Sequence, residues 1–74
     1  MTTDAAIDDF SQVILIDPKN ASAYHGRGFL KQMQQVPQDL QGACYDYKKA
    51  FALGFQNTVE YLQAESGAWC RNMR

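Results

Sequence analysis

Leu40-Gln41-Gly42-Ala43-Cys44-Tyr45-Asp46-Tyr47-Lys48-Lys49-Ala50-Phe51 is the stretch whose reading decides the fold. Leu40, Ala43, Cys44, Tyr47, Ala50 and Phe51 recur at steps of three and four, which places all six on one face of a helix. An earlier segment, following the loop Asp17-Pro18-Lys19-Asn20, sets Tyr24 and Gly28 four residues apart. An aromatic beside a glycine, facing small residues such as Ala43 and Ala50, lets two backbones approach closely. With a turn at Gln35-Val36-Pro37-Gln38, the two segments form an antiparallel helical hairpin, and the rest of the chain is built from partial copies of it.

Start and stop signals extend this to four helices near 4–16, 20–34, 38–53 and 57–68, with no strand. Thr3 or Asp4 caps the first, Asp4, Asp8 and Asp9 lie toward its positive end, and Pro18 prevents its continuation. Asn20 caps the second, in which Gly26 and Gly28 each cost roughly 1 kcal/mol relative to alanine. Close packing accounts for Gly28; nothing in the sequence accounts for Gly26. The third starts at Pro37 or at an Asp39 cap and ends at Gly54 in a left-handed conformation. For the fourth, Asn57 is the expected cap, answered by Glu60 three residues on.

The copies point to a family. Ala6, Phe10 and Pro18 have the same spacing as Ala43, Tyr47 and Phe55. Tyr24, Arg27, Gly28 and Lys31 stand where the tetratricopeptide pattern has Trp, Leu, Gly and Tyr, and Ala6, Phe10 and Pro18 match its second half. The chain therefore resembles that family over nearly all its length: a half repeat at 1–18, a full repeat at 19–55 and a C-terminal capping helix at 56–74. Ala6 to Ala43 spans thirty-seven residues against the family's thirty-four, and Val36-Pro37-Gln38-Asp39 also resembles the turn of Sel1-like repeats. The resemblance implies an all-α stack of helix-turn-helix units, an α-solenoid fragment at the C-terminal end of a longer array.

Composition bounds the rest. A chain of 74 residues makes one small domain, which buries only about 60% of its unfolded surface. A formal net charge of −1 gives no electrostatic reason to bind nucleic acid or an anionic membrane. No segment has the run of apolar residues that a membrane span needs. The start, Met1-Thr2-Thr3-Asp4, lacks the order of a secretory signal. Cys44 and Cys70 belong to no Cys-x-x-Cys pair and do not read as a disulfide framework. Both are expected to be reduced, in a cytoplasm.

Chemistry-bearing residues are sparse. His25 is the only histidine, and with Cys44 and Cys70 it matches no zinc spacing. Ser11, Ser22 and Ser66 lack a nucleophile-elbow context, and Gly26-x-Gly28 does not follow a strand. The expectation is a non-enzyme with no cofactor and no metal. Surface is what remains. Ser22, His25, Phe29 and Gln32 share the face of the second helix turned away from Tyr24. Val59, Leu62, Ser66 and Trp69 repeat that spacing on the fourth. By the resemblance, first helices line the concave face of such a stack. Ser22, His25, Phe29, Gln32, Leu62, Ser66 and Trp69 are thus the candidate residues for a protein or peptide partner, or else they close a small core. The Lys–Asn clamp with which family members hold chaperone C-termini is not visible here. A competing reading is structural: Ile7, Phe10, Val13 and Ile14 cover more of the first helix than one neighbour can, and predict self-association into a homo-oligomer.

Overall fold

The computed structural model describes residues 3–34 and 38–73. Over them the protein is all-α: α1 (Thr3–Ile16), α2 (Ala21–Met33), α3 (Leu40–Ala52) and α4 (Gln56–Gln63), then a single 3₁₀ turn at Glu65–Gly67 and a short α5 (Ala68–Arg71). The expected turn residues Gln35, Val36 and Pro37 lie outside the described residues.

Each boundary has a local cause. At the start of α2, the Asn20 side chain accepts from the Ala23 N–H at 3.1 Å. Asp39 caps α3, its carboxylate accepting from the Gly42 N–H at 2.8 Å. Gly54 ends α3 with φ of 83°. The Gly54 N–H then donates to the Phe51 carbonyl and the Phe55 N–H to the Ala50 carbonyl, the two bonds of a Schellman motif. That exit feeds straight into α4, so Phe55 takes the cap position and Asn57 falls inside the first turn. Glu60 accepts from the Gln56 side chain instead of answering Asn57.

The fourth helix is also shorter than its spacing predicts. Ala64 adopts extended backbone (φ −82°, ψ 166°) and breaks it. At Gly67 a Cβ would overlap the Tyr61 carbonyl oxygen, so only glycine lets the returning chain lie this close to α4. Arg71 Nη1 donates to the carbonyls of Leu62 and Ala64, answering groups the interrupted helix leaves open. The return brings Cys70 onto Cys44, and the two form a disulfide across 26 residues. Here the sequence reading is corrected: the cysteines are paired, not reduced thiols. They are far apart in the chain, and only the backward fold of 64–71 brings their Cα atoms to 5.2 Å.

Contacts fix the directions of the helices. Gln34, just past α2, donates to Asp4 at the start of α1, while Arg27 reaches Ser11, so α1 and α2 run antiparallel. His25 meets Thr58 and Gln32 meets Tyr61, so α2 and α4 lie side by side in the same sense. Gly28 has the role its spacing implied: a Cβ there would sit 3.0 Å from the Ala43 carbonyl oxygen and 3.2 Å from Asp46 Cβ. Gly26 gains an explanation too, since the Phe10 ring of α1 occupies the space its side chain would take, 2.6 Å from an added Cβ.

The core gathers Ala43, Cys44, Tyr47, Leu62 and Cys70, with Tyr61, Trp69 and Met73 packed around it. Phe51, though on the apolar stripe, stays exposed. Asp46 sits on the inward side of α3, fully buried. Its two carboxylate oxygens accept from Arg27 Nη2 at 2.7 Å and Nε at 2.8 Å, with Lys31 Nζ 3.4 Å away. Hydrogen bonding to Asp46 raises the guanidinium pKa further. Because Arg27 Nη1 also donates to Ser11, this polar node ties α1, α2 and α3 together. A buried bidentate pair with its remaining donors satisfied is the arrangement in which such a charge is tolerated.

Candidate protein-interaction groove

A groove of about 470 Å³ opens between α2 and α4. From α2 it is lined by His25, Phe29, Gln32 and Met33. The far side is supplied by Asn57, Tyr61 and Ser66, with Tyr47 of α3 behind them.

The back of the groove is an aromatic stack. Tyr47, 1% exposed, has the edge of His25 at 5.2 Å, Tyr61 at 4.9 Å and Trp69 at 6.2 Å between ring centroids. The hydroxyls of Tyr47 and Tyr61 both donate to the Gln32 side-chain carbonyl, at 2.8 and 3.2 Å. Trp69 Nε1 in turn donates to the Tyr61 oxygen at 2.9 Å. Burial, then the neighbouring Tyr61, pushes the Tyr47 phenol pKa up, so this hydroxyl stays a donor.

His25 Nδ1 lies 2.6 Å from the hydroxyl of Thr58, a residue with no exposed surface. Desolvation lowers the imidazole pKa from its ordinary 6.5, so at neutral pH the ring is uncharged. No other lining residue carries a charge. The groove is therefore neutral: a hydrogen-bonding wall with an apolar lip made by Phe29 and Met33, which are 51% and 60% exposed.

Of the seven residues singled out from the sequence, His25, Phe29, Gln32 and Ser66 come together here. Three do not. Leu62 is buried in the core, because the carbonyl-to-arginine return of the chain covers its side of α4. Ser22 donates to the Asn20 side chain and belongs to the α2 cap. Trp69 folds back on Tyr47 and Tyr61 and supports the groove from behind. Sequence reasoning missed Met33, Asn57 and Tyr61. Met33 was legible, four residues beyond Phe29 on the same helical face. Tyr61 was not, since only the parallel placement of α2 and α4 turns it toward Gln32.

On α1 the picture also shifts. Ile7, Phe10 and Ile14 are half-buried against α2, whereas Val13 is exposed, and Leu15 and Ile16 are 77% and 84% exposed. A shallow trough of about 250 Å³ runs along Ala6, Asp9, Phe10 and Val13.

Among the described residues, no group of three His, Cys, Asp or Glu side chains is placed to hold a metal ion, and no helix is long and apolar enough to cross a membrane. Comparison with protein-family models, curated proteins and solved structures finds no match.

Proposed function

We propose that the protein is a non-enzymatic interaction module, a tetratricopeptide-like fragment of an α-solenoid, that docks a protein or peptide segment in the groove between α2 and α4. One observation carries the reading: two large apolar side chains, Phe29 and Met33, stand in solvent at the lip of a groove whose wall offers uncharged hydrogen-bonding groups. Exposed aromatic side chains beside a pocket are favourable anchors. The absence of charge among the lining residues specifies the partner. It is an uncharged stretch of polypeptide with one bulky apolar side chain and free backbone amides, not a carboxylate terminus. The test is selection from a displayed peptide library, followed by titration of the selected peptides against Phe29→Ala. The variant should bind at least tenfold more weakly while its melting temperature moves by no more than a few degrees. Unchanged affinity, or enrichment of acidic peptides alone, would remove the reading.

A second, structural reading rests on α1, where Val13, Leu15 and Ile16 remain exposed. An apolar helix edge of this kind favours self-association. As to compartment, the expectation of a cytoplasm rested on reduced cysteines. The buried disulfide instead favours an oxidising compartment. Mass spectrometry of the native protein, before and after alkylation without reductant, checks that point.

A further inference from the structure

The two ends of the molecule carry apolar surfaces of opposite charge. At one end, the trough on α1 joins Ala6, Phe10 and Val13 to Asp9. Helix α1 has Asp4, Asp8 and Asp9 and no basic residue from Thr3 to Ile16. At the other end, a cleft of about 400 Å³ is floored by Phe51 and Leu62 and flanked by Lys48 and Arg71, with no carboxylate in its lining. Both cations are held in place by backbone carbonyls: Lys48 Nζ donates to Met73 O at 3.0 Å and Arg71 Nη1 to Leu62 O at 2.9 Å. The ion pairs among the described residues are those of Arg27 and Lys31 with Asp46, so Asp9, Lys48 and Arg71 are all left without an opposite charge.

We infer that the acidic, apolar trough of α1 docks in the basic, apolar cleft between α3 and α4 of a second copy, so that the protein assembles head to tail. The inference rests on the self-association reading and adds to it the receiving surface and the symmetry. Charge decides against the simpler alternative. A two-fold dimer through the trough brings the Asp9 that lines it in one copy up to Asp9 of the other, and like charges across an interface are unfavourable. The head-to-tail arrangement sets Asp9 against Lys48 and Arg71 while covering Val13 and Phe10 with the exposed Phe51. Such a contact is heterologous: each copy that binds leaves one trough and one cleft free, and assembly continues past the dimer unless the rotation closes a ring.

Sedimentation velocity on the 74-residue chain, over a concentration series at low and high salt, tests this. The expected result is a mass that rises beyond the dimer with concentration and falls as salt is added, since the screened charges flank the contact. Lys48→Glu and Asp9→Lys should each weaken association at least tenfold with helical circular dichroism unchanged. An equimolar mixture of the two should recover it, because each reversed surface then meets its complement. Arg71→Gln serves as an independent variant of the cleft. A monomer at every concentration overturns both the inference and the reading beneath it. A species that stops at dimer, or association abolished by Val13→Glu but indifferent to Lys48→Glu and Arg71→Gln, overturns the head-to-tail contact and leaves self-association through α1 standing.

Discussion

Replacing Asp46 with alanine should be among the most damaging single changes this protein can suffer. The carboxylate is 0% exposed and accepts two hydrogen bonds from Arg27, with Lys31 close by. Its removal leaves a mostly buried guanidinium with only a hydrogen bond to Ser11 and the face of the Tyr24 ring to offset its charge. Breaking a buried ion pair from one side costs about 3–5 kcal/mol. A domain of this length has a total stability of about 4–11 kcal/mol at 0.05–0.15 kcal/mol per residue, so Asp46→Ala should remove about a quarter of it or more. At about 4 °C per kcal/mol or more for a small domain, the melting temperature should fall by at least about 12 °C. Thermal and urea unfolding followed by far-ultraviolet circular dichroism would measure it, with Asp46→Asn as the shape-preserving control. Replacing both partners, Arg27→Met with Asp46→Leu, should recover most of the loss, because no unpaired charge then remains. If Asp46→Ala melts within a few degrees of the parent, or the double variant is as damaged as the single, the node does not hold the three helices together.

Other consequences follow from single contacts. Replacing both Cys44 and Cys70 with alanine opens a loop across 26 residues and should cost roughly 3–4 kcal/mol by the loss of chain restriction. Because Trp69 is carried on the released segment, its fluorescence should shift to the red on the same change. His25 titrates below its ordinary pKa in the folded state, so the unfolded chain binds the extra proton more readily. Stability from this residue is complete above about pH 6.5 and declines as pH falls toward the folded value, and a proton-resonance titration should place the His25 midpoint below 6.5. The acid limb of His25→Gln should be shallower than that of the parent. Gly26→Ala should destabilise even though alanine favours a helix by about 1 kcal/mol, since its Cβ displaces the Phe10 ring. In a Phe10→Ala background the same change should become stabilising, a reversal of sign visible in the urea midpoint.

Periodicity and punctuation were enough to determine the first three helices, and the existence but not the cap or end of the fourth. The three-and-four spacing sets the buried stripe of α3 at Ala43, Cys44, Tyr47 and Ala50, with Leu40 and Phe51 at its margins. Asn20, Asp39 and Gly54 sit at boundaries because their local backbone chemistry needs no distant partner. The close approach at Gly28 was legible for the same reason, a glycine at helical spacing from an aromatic. Tertiary structure decided what depends on residues far apart in the chain. Cys44 and Cys70 look unrelated until Gly67 lets the segment after α4 return over Tyr61. Nothing in the spacing singles out Asp46, which becomes a buried node only when Arg27 and Lys31 of α2 surround it. Gly26 is unaccountable until Phe10 fills its place, and Leu62 belongs to the core instead of the groove because the same return covers it. The division is physical. Capping, turn conformation and helical phase act over one to four residues, and these the sequence states directly. Which faces meet, which charges pair and which thiols join are settled only when packing brings distant segments into contact.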